Sequence, residues 1–301
     1  MSIDITQYPV PNVLEALDYE TAYRQISTEF IAQFPEDSVA AAEIGVPSRS
    51  KVQLLLAIEG NLITKALQAE AYHAMNLRAR VNSAARATML TYATGPDLDN
   101  LASFYAVQRQ ITVAGDPEAE PPIPDTYEND VEFRQRILLA IDGLSVAGPA
   151  GAYRFHALTA SGSVKDVRVF SPTPGVVSVT IMAREGNGEP NSDLIETVEA
   201  ALNADNIRPL TDSVVVQGCV AVSFAVEATL TVYPSASGDN AVSAAIAAVA
   251  AYVEGVRLLG YSVTLSGLYR ALHQHGVQSA DLISPAANIE VGDDEVSYCT
   301  G

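Results

Sequence analysis

Basic residues are scarce in this chain: 17 lysines and arginines face 36 aspartates and glutamates, a formal charge of -19. A net field of that sign does not draw a protein to nucleic acid or anionic lipid, although a local basic patch still could. Tryptophan is absent, and basic and aromatic residues are little interleaved, which also argues against a nucleic-acid partner. Only two cysteines occur, Cys219 and Cys299. They lack metal or redox spacing and are expected as free thiols in a reducing compartment. No apolar run approaches the ~18 residues of a membrane span, and the richest, Ala241 to Val256, is dominated by alanine and carries Glu254. The start, Met1-Ser-Ile-Asp-Ile, has neither a basic n-region nor an apolar h-region, so no secretory signal and no membrane partner are expected.

What the chain does have is enough apolar residue to fold, 48% of 301 positions, and length for two or three domains. Leu144 to Arg184 organises the reading. Tyr153, Ala157, Leu158 and Ala160 have helical spacing. Val164 to Val169 and Val177 to Ile181 then alternate around Ser171-Pro-Thr-Pro-Gly175, which predicts a helix followed by a hairpin. A hairpin alone buries no core, so flanking segments must cover it.

Upstream, a Pro-broken extended start leads to a helix from about Val13 that ends at Pro35, and a short helix start falls near Ser38. From Lys51 to Thr94 there is no proline and the only glycine is Gly60. Leu55, Ile58, Leu62, Ala66, Ala69 and Tyr72 recur at steps of three and four, which predicts one helix with one apolar stripe. At 1.5 Å per residue its ~43 residues would span roughly 65 Å. That is too long for a small globular core, so partner helices are expected along the stripe. The stretch carries a net +3 in a chain of -19. Its cluster Arg78, Arg80 and Arg86 is either a solvated face or the rim of a contact with an acidic partner.

Residues 113–127 are acidic and Pro-rich, which reads as a linker. Helices are expected over 129–141, 192–204, 239–256 and 266–275, and strands over 214–217, 220–232, 277–283 and 288–291. Tyr153-Arg-Phe-His-Ala-Leu158 with its Ser171-Pro172 turn is echoed by Tyr269-Arg-Ala-Leu272 with Ser284-Pro285. The echo reads either as a duplicated helix–hairpin unit or as chance. The fold class that results is α+β: an N-terminal long-helix bundle region over 1–112, the linker, and two small α+β domains with antiparallel hairpins, 128–218 and 219–301.

Catalytic signatures are missing. Gly143-Leu-Ser145-Val-Ala-Gly148 is one residue too long for a nucleophile elbow and precedes a helix. Glu185 to Glu189 lacks the order of a calcium loop. His273 and His275 point to different faces of a helix, and His73 and His156 lie far away in sequence, so no metal is expected. No phosphate-cradling loop appears, and no motif calls for a cofactor.

Three stretches together resemble the baseplate J family of contractile phage tails. The first is Ala93-Thr-Gly-Pro-Asp-Leu-Asp-Asn-Leu-Ala102, running on to Val107-Gln-Arg109. The second is Glu128-Asn-Asp130 with Phe133-Arg134 and Arg136-Ile137, leading to Leu144-Ser-Val-Ala-Gly148 and Ala152-Tyr153. The third is Val164-Lys-Asp-Val167 with Ser171-Pro172 and Gly175, followed by Arg208-Pro-Leu-Thr-Asp212. One departure is Ala106, where the family's glycine is expected. The resemblance implies a structural wedge subunit without catalytic or cofactor residues. It would join a second copy of itself and a smaller wedge protein, with other baseplate and sheath-initiator proteins nearby, in a ring around the tail tube that couples to sheath contraction. The rod would then supply the partner interface: the stripe Leu55, Ile58, Leu62, Ala66 and Ala69, and the basic face Arg78, Arg80 and Arg86. Assembly would take place in the host bacterial cytoplasm. The alternative is an acidic α+β enzyme with a helical dimerisation arm, which would need a cleft with convergent polar groups.

Overall fold

The computed structural model describes residues 11–36, 45, 47–145, 147–234 and 238–301. The chain divides into two compact units, Met1–Leu101 and Ala102–Gly301. The helix start expected near Ser38 lies outside the described residues.

The first unit is helical. Helix α1 (Tyr19–Ala32) begins at Asp18, whose carboxylate accepts from the backbone N–H of Glu20 and Thr21, which satisfies two otherwise orphaned donors. At its other end Arg49 donates from Nε to the Phe34 carbonyl at 2.8 Å and from Nη2 to Ala32 at 3.3 Å. A cation there also suits the negative end of the helix dipole.

The single rod expected over 51–94 is not formed. It is broken into α2 (Arg49–Leu56) and α3 (Leu62–Ala87). Gly60 is a poor helix former, and Asn61 caps the new helix by accepting from Ile63 N at 2.8 Å. Thr64, buried at the break, donates to the Leu56 carbonyl at 3.4 Å. Helix α3 has 26 residues, about 39 Å at 1.5 Å per residue. Helix α1 packs along it, with Ala22 and Ala71 buried. Asn82, also buried, clamps the segment before α1: its Nδ2 donates to the Glu15 carbonyl at 2.8 Å and its Oδ1 accepts from Glu15 N at 3.0 Å.

Helix α4 (Gly95–Ser103) leads into the second unit. There Val107 N bonds the Ala102 carbonyl at 3.2 Å and Ala106 N bonds Ser103 at 3.1 Å. That pair of bonds is a Schellman cap, whose penultimate position requires a left-handed backbone. Ala106 occupies it with φ 55°, the one non-glycine at positive φ among the described residues. This is the position where the family resemblance calls for glycine.

In the second unit, residues 113–127 are the arms and tip of a hairpin. Strand β1 (Ile111–Val113) pairs antiparallel with β2 (Thr126–Tyr127), and Asp116 bridges Ile123. Helix α5 (Asp130–Gly143) starts at Asn129, which accepts from Val131 N and Glu132 N. Helix α6 (Ala150–Ala160) follows. The expected hairpin then appears as β3 (Val164–Thr173) and β4 (Val176–Ala183), with Gly175 at φ 84° in its turn. Strand β5 (Ser213–Gly218) lies parallel to β4, and α7 (Ser192–Leu202) makes the crossover that a parallel pair requires. Helices α6 and α7 cover one face of this sheet, which closes a core of Tyr153, Ala157, Val164, Val179, Ile181, Val198 and Leu202. Burying each large aliphatic here is worth about 1.5–3 kcal/mol.

The run expected as one strand over 220–232 is two. Strand β6 (Val220–Phe224) pairs parallel with β9 (Glu295–Cys299), while β7 (Glu227–Val232) pairs antiparallel with β8 (Val277–Ser284). Helices α8 (Gly238–Val256) and α9 (Leu265–Leu272) pack beside them, around Phe224, Val253, Val263 and Leu268. Residues 288–291 form no strand; Ile289 only bridges Val263. Since 277–291 therefore makes no two-stranded pair, the duplicated helix–hairpin reading is overturned. The local echo is real in sequence, but strand partners are chosen by long-range packing.

The two α+β halves are tied together. Asp166, buried, accepts from Arg154 Nη2 at 2.9 Å and from Leu259 N at 3.2 Å. Met182, Cys219, Leu259 and Val296 form a joint core. Cys219 and Cys299 are free, and burial pushes the Cys219 thiol up to about 11, with the charge of Glu189 adding to it.

Candidate assembly surface

In α3 Thr64, Leu67, Ala71, Met75, Arg78, Asn82 and Ala85 are buried or half-buried and recur at steps of three and four, so they form one face, the one turned to α1 and the Glu15 segment; the half-buried Gln68, Ala74 and Ala79 lie along its edges. At about 100° per residue the centre of that face lies roughly 180° round the helix from Leu62, Ala66 and Ala69. Among the described residues of its unit, the stripe expected to meet a partner therefore points away from what α3 packs on. Leu62 is 84% exposed, and Ala66 and Ala69 are exposed. Leu55 and Ile58, at 40% and 56%, lie on α2 and in the break, so they continue the apolar surface but not the same helical phase.

Exposed apolar side chains are common one at a time; contiguous ones mark interaction surfaces. Leu54, Ile63, Leu77 and Val81 are exposed as well, and sequence reasoning missed them. The signal was available: Leu77 follows Ala66 by eleven residues, about three turns at 3.6 per turn. Tyr72, the last position of the expected stripe, lies one short step from Ala69 that rotates it off the face.

The three arginines do not form one group. Arg78 turns inward and pairs with Glu15 at 3.3 Å. Arg80 is exposed on the same side as Leu62, and Arg86 is exposed on another.

A second constellation assembles the residues that carry the family resemblance. The Arg136 guanidinium meets the Glu128 carboxylate at 2.7 Å, both almost fully buried, and also donates to the Gln108 carbonyl. Arg109 donates to the Glu128 carbonyl and to Asp130 Oδ1, each at 2.8 Å. Both guanidinium groups lie over the buried Phe133 ring, at 4.6 Å for Arg109 and 5.5 Å for Arg136. A buried pair of this kind is tolerable only when its remaining donors are satisfied, as they are here. The network pins the β1–β2 hairpin to α5; it orders backbone and offers no open polar site. Tyr153 likewise donates to Asp212 at 2.7 Å, beside Gly148 at φ 69°, where a side chain would strike Asp212 and Pro209. Burial and that bond hold the Tyr153 phenol well above its usual range.

Among the described residues no three His, Cys, Asp or Glu side chains converge as metal ligands, and no helix is long and apolar enough to cross a membrane. An apolar groove of about 780 Å³ lies between α8 and β7, lined by Val226, Ala228, Leu230, Val242, Ile246 and Val249 among others. Its polar lining residues are Glu254, Cys299 and Thr300.

Comparison with known proteins assigns the chain. Models of the baseplate J-like N-terminal, central and C-terminal domains match residues 59–116, 145–218 and 224–301. Baseplate protein J of Escherichia phage P2 is 38% identical over 298 residues, which is 99% of this chain and 95% of that protein. A chain in the cryo-EM structure of the anti-feeding prophage baseplate is similar at 14% identity and a TM-score of 0.44, over 59% of this chain and 43% of the other. The chain belongs to the baseplate J-like family, structural proteins of bacteriophage tail baseplates.

Proposed function

We propose that this chain is a wedge subunit of a contractile-tail baseplate. It joins a second copy of itself and a smaller tail protein in a ring around the tail tube, next to sheath-initiator proteins, and it passes a change in the ring to the sheath. Assembly takes place in the host cytoplasm, and the role is structural rather than catalytic. The helical region, 1–112, is the joining element; beyond the acidic hairpin at 113–127, the segments 128–218 and 219–301 are the α+β body. The observation that carries this reading is the direction of the α2–α3 apolar surface. Leu62, Ala66 and Ala69 are exposed opposite the face on which α3 is already packed, and the exposed Leu55 and Ile58 continue the apolar surface on α2 and in the break. Leaving such a surface in water forgoes about 1.5–3 kcal/mol for each large aliphatic that could be buried. Arg80 lies on the same side and is expected to tune association rate and salt dependence more than affinity, whereas Arg86 is exposed on another side of the helix.

Co-expression with neighbouring tail proteins, followed by size-exclusion chromatography, tests the reading. The double substitution Leu55→Asp with Leu62→Asp is expected to leave residues 102–301 folded and to abolish co-elution. Co-elution at wild-type yield would remove the helical surface as the assembly element.

A further inference from the structure

Two surfaces of this chain are apolar, exposed and opposite in charge. On α3 the outward face carries Leu62, Ala66 and Ala69, with the exposed bases Lys65 and Arg80 and one exposed acid, Glu70, on the same side, so that its charge is net positive. On the β1–β2 hairpin, Ile111, Val113 and Tyr127 are 45%, 46% and 51% exposed, while Thr112 between them turns inward. Alternate residues of a strand share a face, as do directly paired residues such as Ile111 and Tyr127. The ribbon thus shows one apolar face to solvent, where a two-stranded ribbon would bury it if it could. Its far end, from Asp116 to Asp125, carries four acidic residues and no basic one.

We propose that the β1–β2 hairpin of one copy docks on the outward α3 face of a second copy, with its apolar face on Leu62 to Ala69 and its acidic tip at Arg80. This rests on the reading of that helix face as an assembly surface and names what covers it. Each copy offers one helix face and one hairpin, so the contact either passes from copy to copy until a ring closes or is exchanged by two copies about a two-fold axis. The ribbon is small, so a single contact is weak and sensitive to salt, and closure supplies the remaining stability.

The test uses the assembled complex. Two versions of the chain, each with its own affinity tag, are co-expressed with the neighbouring tail proteins. One carries a photo-crosslinking residue in place of the exposed Glu118. After irradiation, denaturation and double-tag capture, the expected product is a cross-link from position 118 to residues 62–87 of the other version. Arg80→Glu in that other version is expected to lower its yield roughly tenfold, and Asp116→Lys with Glu120→Lys in the crosslinker version to restore it. Neither change touches a buried residue, so a lost cross-link in an intact assembly reports the contact itself. An assembly that forms while position 118 links to a different protein, to its own chain, or to nothing overturns the docking and leaves the helix-face reading standing. An assembly that also survives Leu55→Asp with Leu62→Asp sinks both.

Discussion

The helical unit and the α+β unit solve the same problem to different degrees. Among the described residues up to Leu101, the buried positions are mostly small or polar: Ala22, Val52, Thr64, Ala71, Asn82, Ala93 and Leu98. From Ala102 onward they include Tyr153, Phe133, Ile137, Ile181, Met182, Leu202 and Leu268, all fully buried. The second unit closes its own core between helices and sheets. The first buries one side of α3 and leaves its larger aliphatics on the other. Stability in small domains depends on how much apolar surface leaves the water. The helical unit therefore keeps apolar surface in reserve, which the proposed assembly would bury.

The comparison breaks first, and with the largest expected effect, at the buried ion network. Arg136→Met removes one partner of the 2.7 Å pair with Glu128 and leaves a buried carboxylate uncompensated, an expected cost of about 3–5 kcal/mol. Chemical denaturation of the isolated chain should show the loss in the α+β transition, with the helical signal below residue 101 unmoved.

A matched pair of truncations sharpens the contrast next. Leu202→Ala, in the closed core, should cost about 2–5 kcal/mol. Leu62→Ala should change the stability of the isolated chain by no more than about 0.5 kcal/mol. If the two cost the same, Leu62 is packed within its own chain and the contrast between units disappears.

The smallest effect is local. Ala106 holds a left-handed backbone in the Schellman cap after α4, where an L side chain is strained. Ala106→Gly is expected to raise stability by about 0.5–1 kcal/mol, the strain relief outweighing the extra freedom of glycine in the unfolded chain. A lower melting temperature would show that the turn is held by more than its φ angle.

How much of this was legible in the sequence follows the range of the interactions involved. The stretch from Asn129 to Gly218 could be read element by element because caps, periodicity and turn residues are local: Asn129 and Asn191 cap their helices, and Gly175 turns the hairpin. The break at Gly60-Asn61 was missed because one glycine in a continuous apolar period is tolerated in many helices. Here Asn61 offers the competing cap that decides it. The division of 220–232 was invisible for another reason. The alternation of burial runs straight through it, with Phe224 buried and Val226, Ala228 and Leu230 half-buried, so the pattern gives the face and not the partner. Pairing of β6 with β9 and β7 with β8 spans long stretches of chain. No local signal encodes it, and the same blindness made 277–291 look like a second hairpin. At the candidate surface, the outward direction of Leu62, Ala66 and Ala69 could be reached from helical spacing. The inward turn of Arg78 depends on Glu15, far away in sequence, and could not. The convergence of Arg109, Glu128, Phe133 and Arg136 was present only as separate motif fragments.

Hydrogen exchange compared between the isolated chain and the co-assembled complex tests the central claim most directly. Backbone amides of α2 and α3, residues 49–87, should gain protection on assembly by a larger factor than those of the closed sheet, residues 164–218, because burying an outward face suppresses the local opening of helices held on one side only. Equal or smaller gains across 49–87 would contradict the account and place the joining surface elsewhere on the chain.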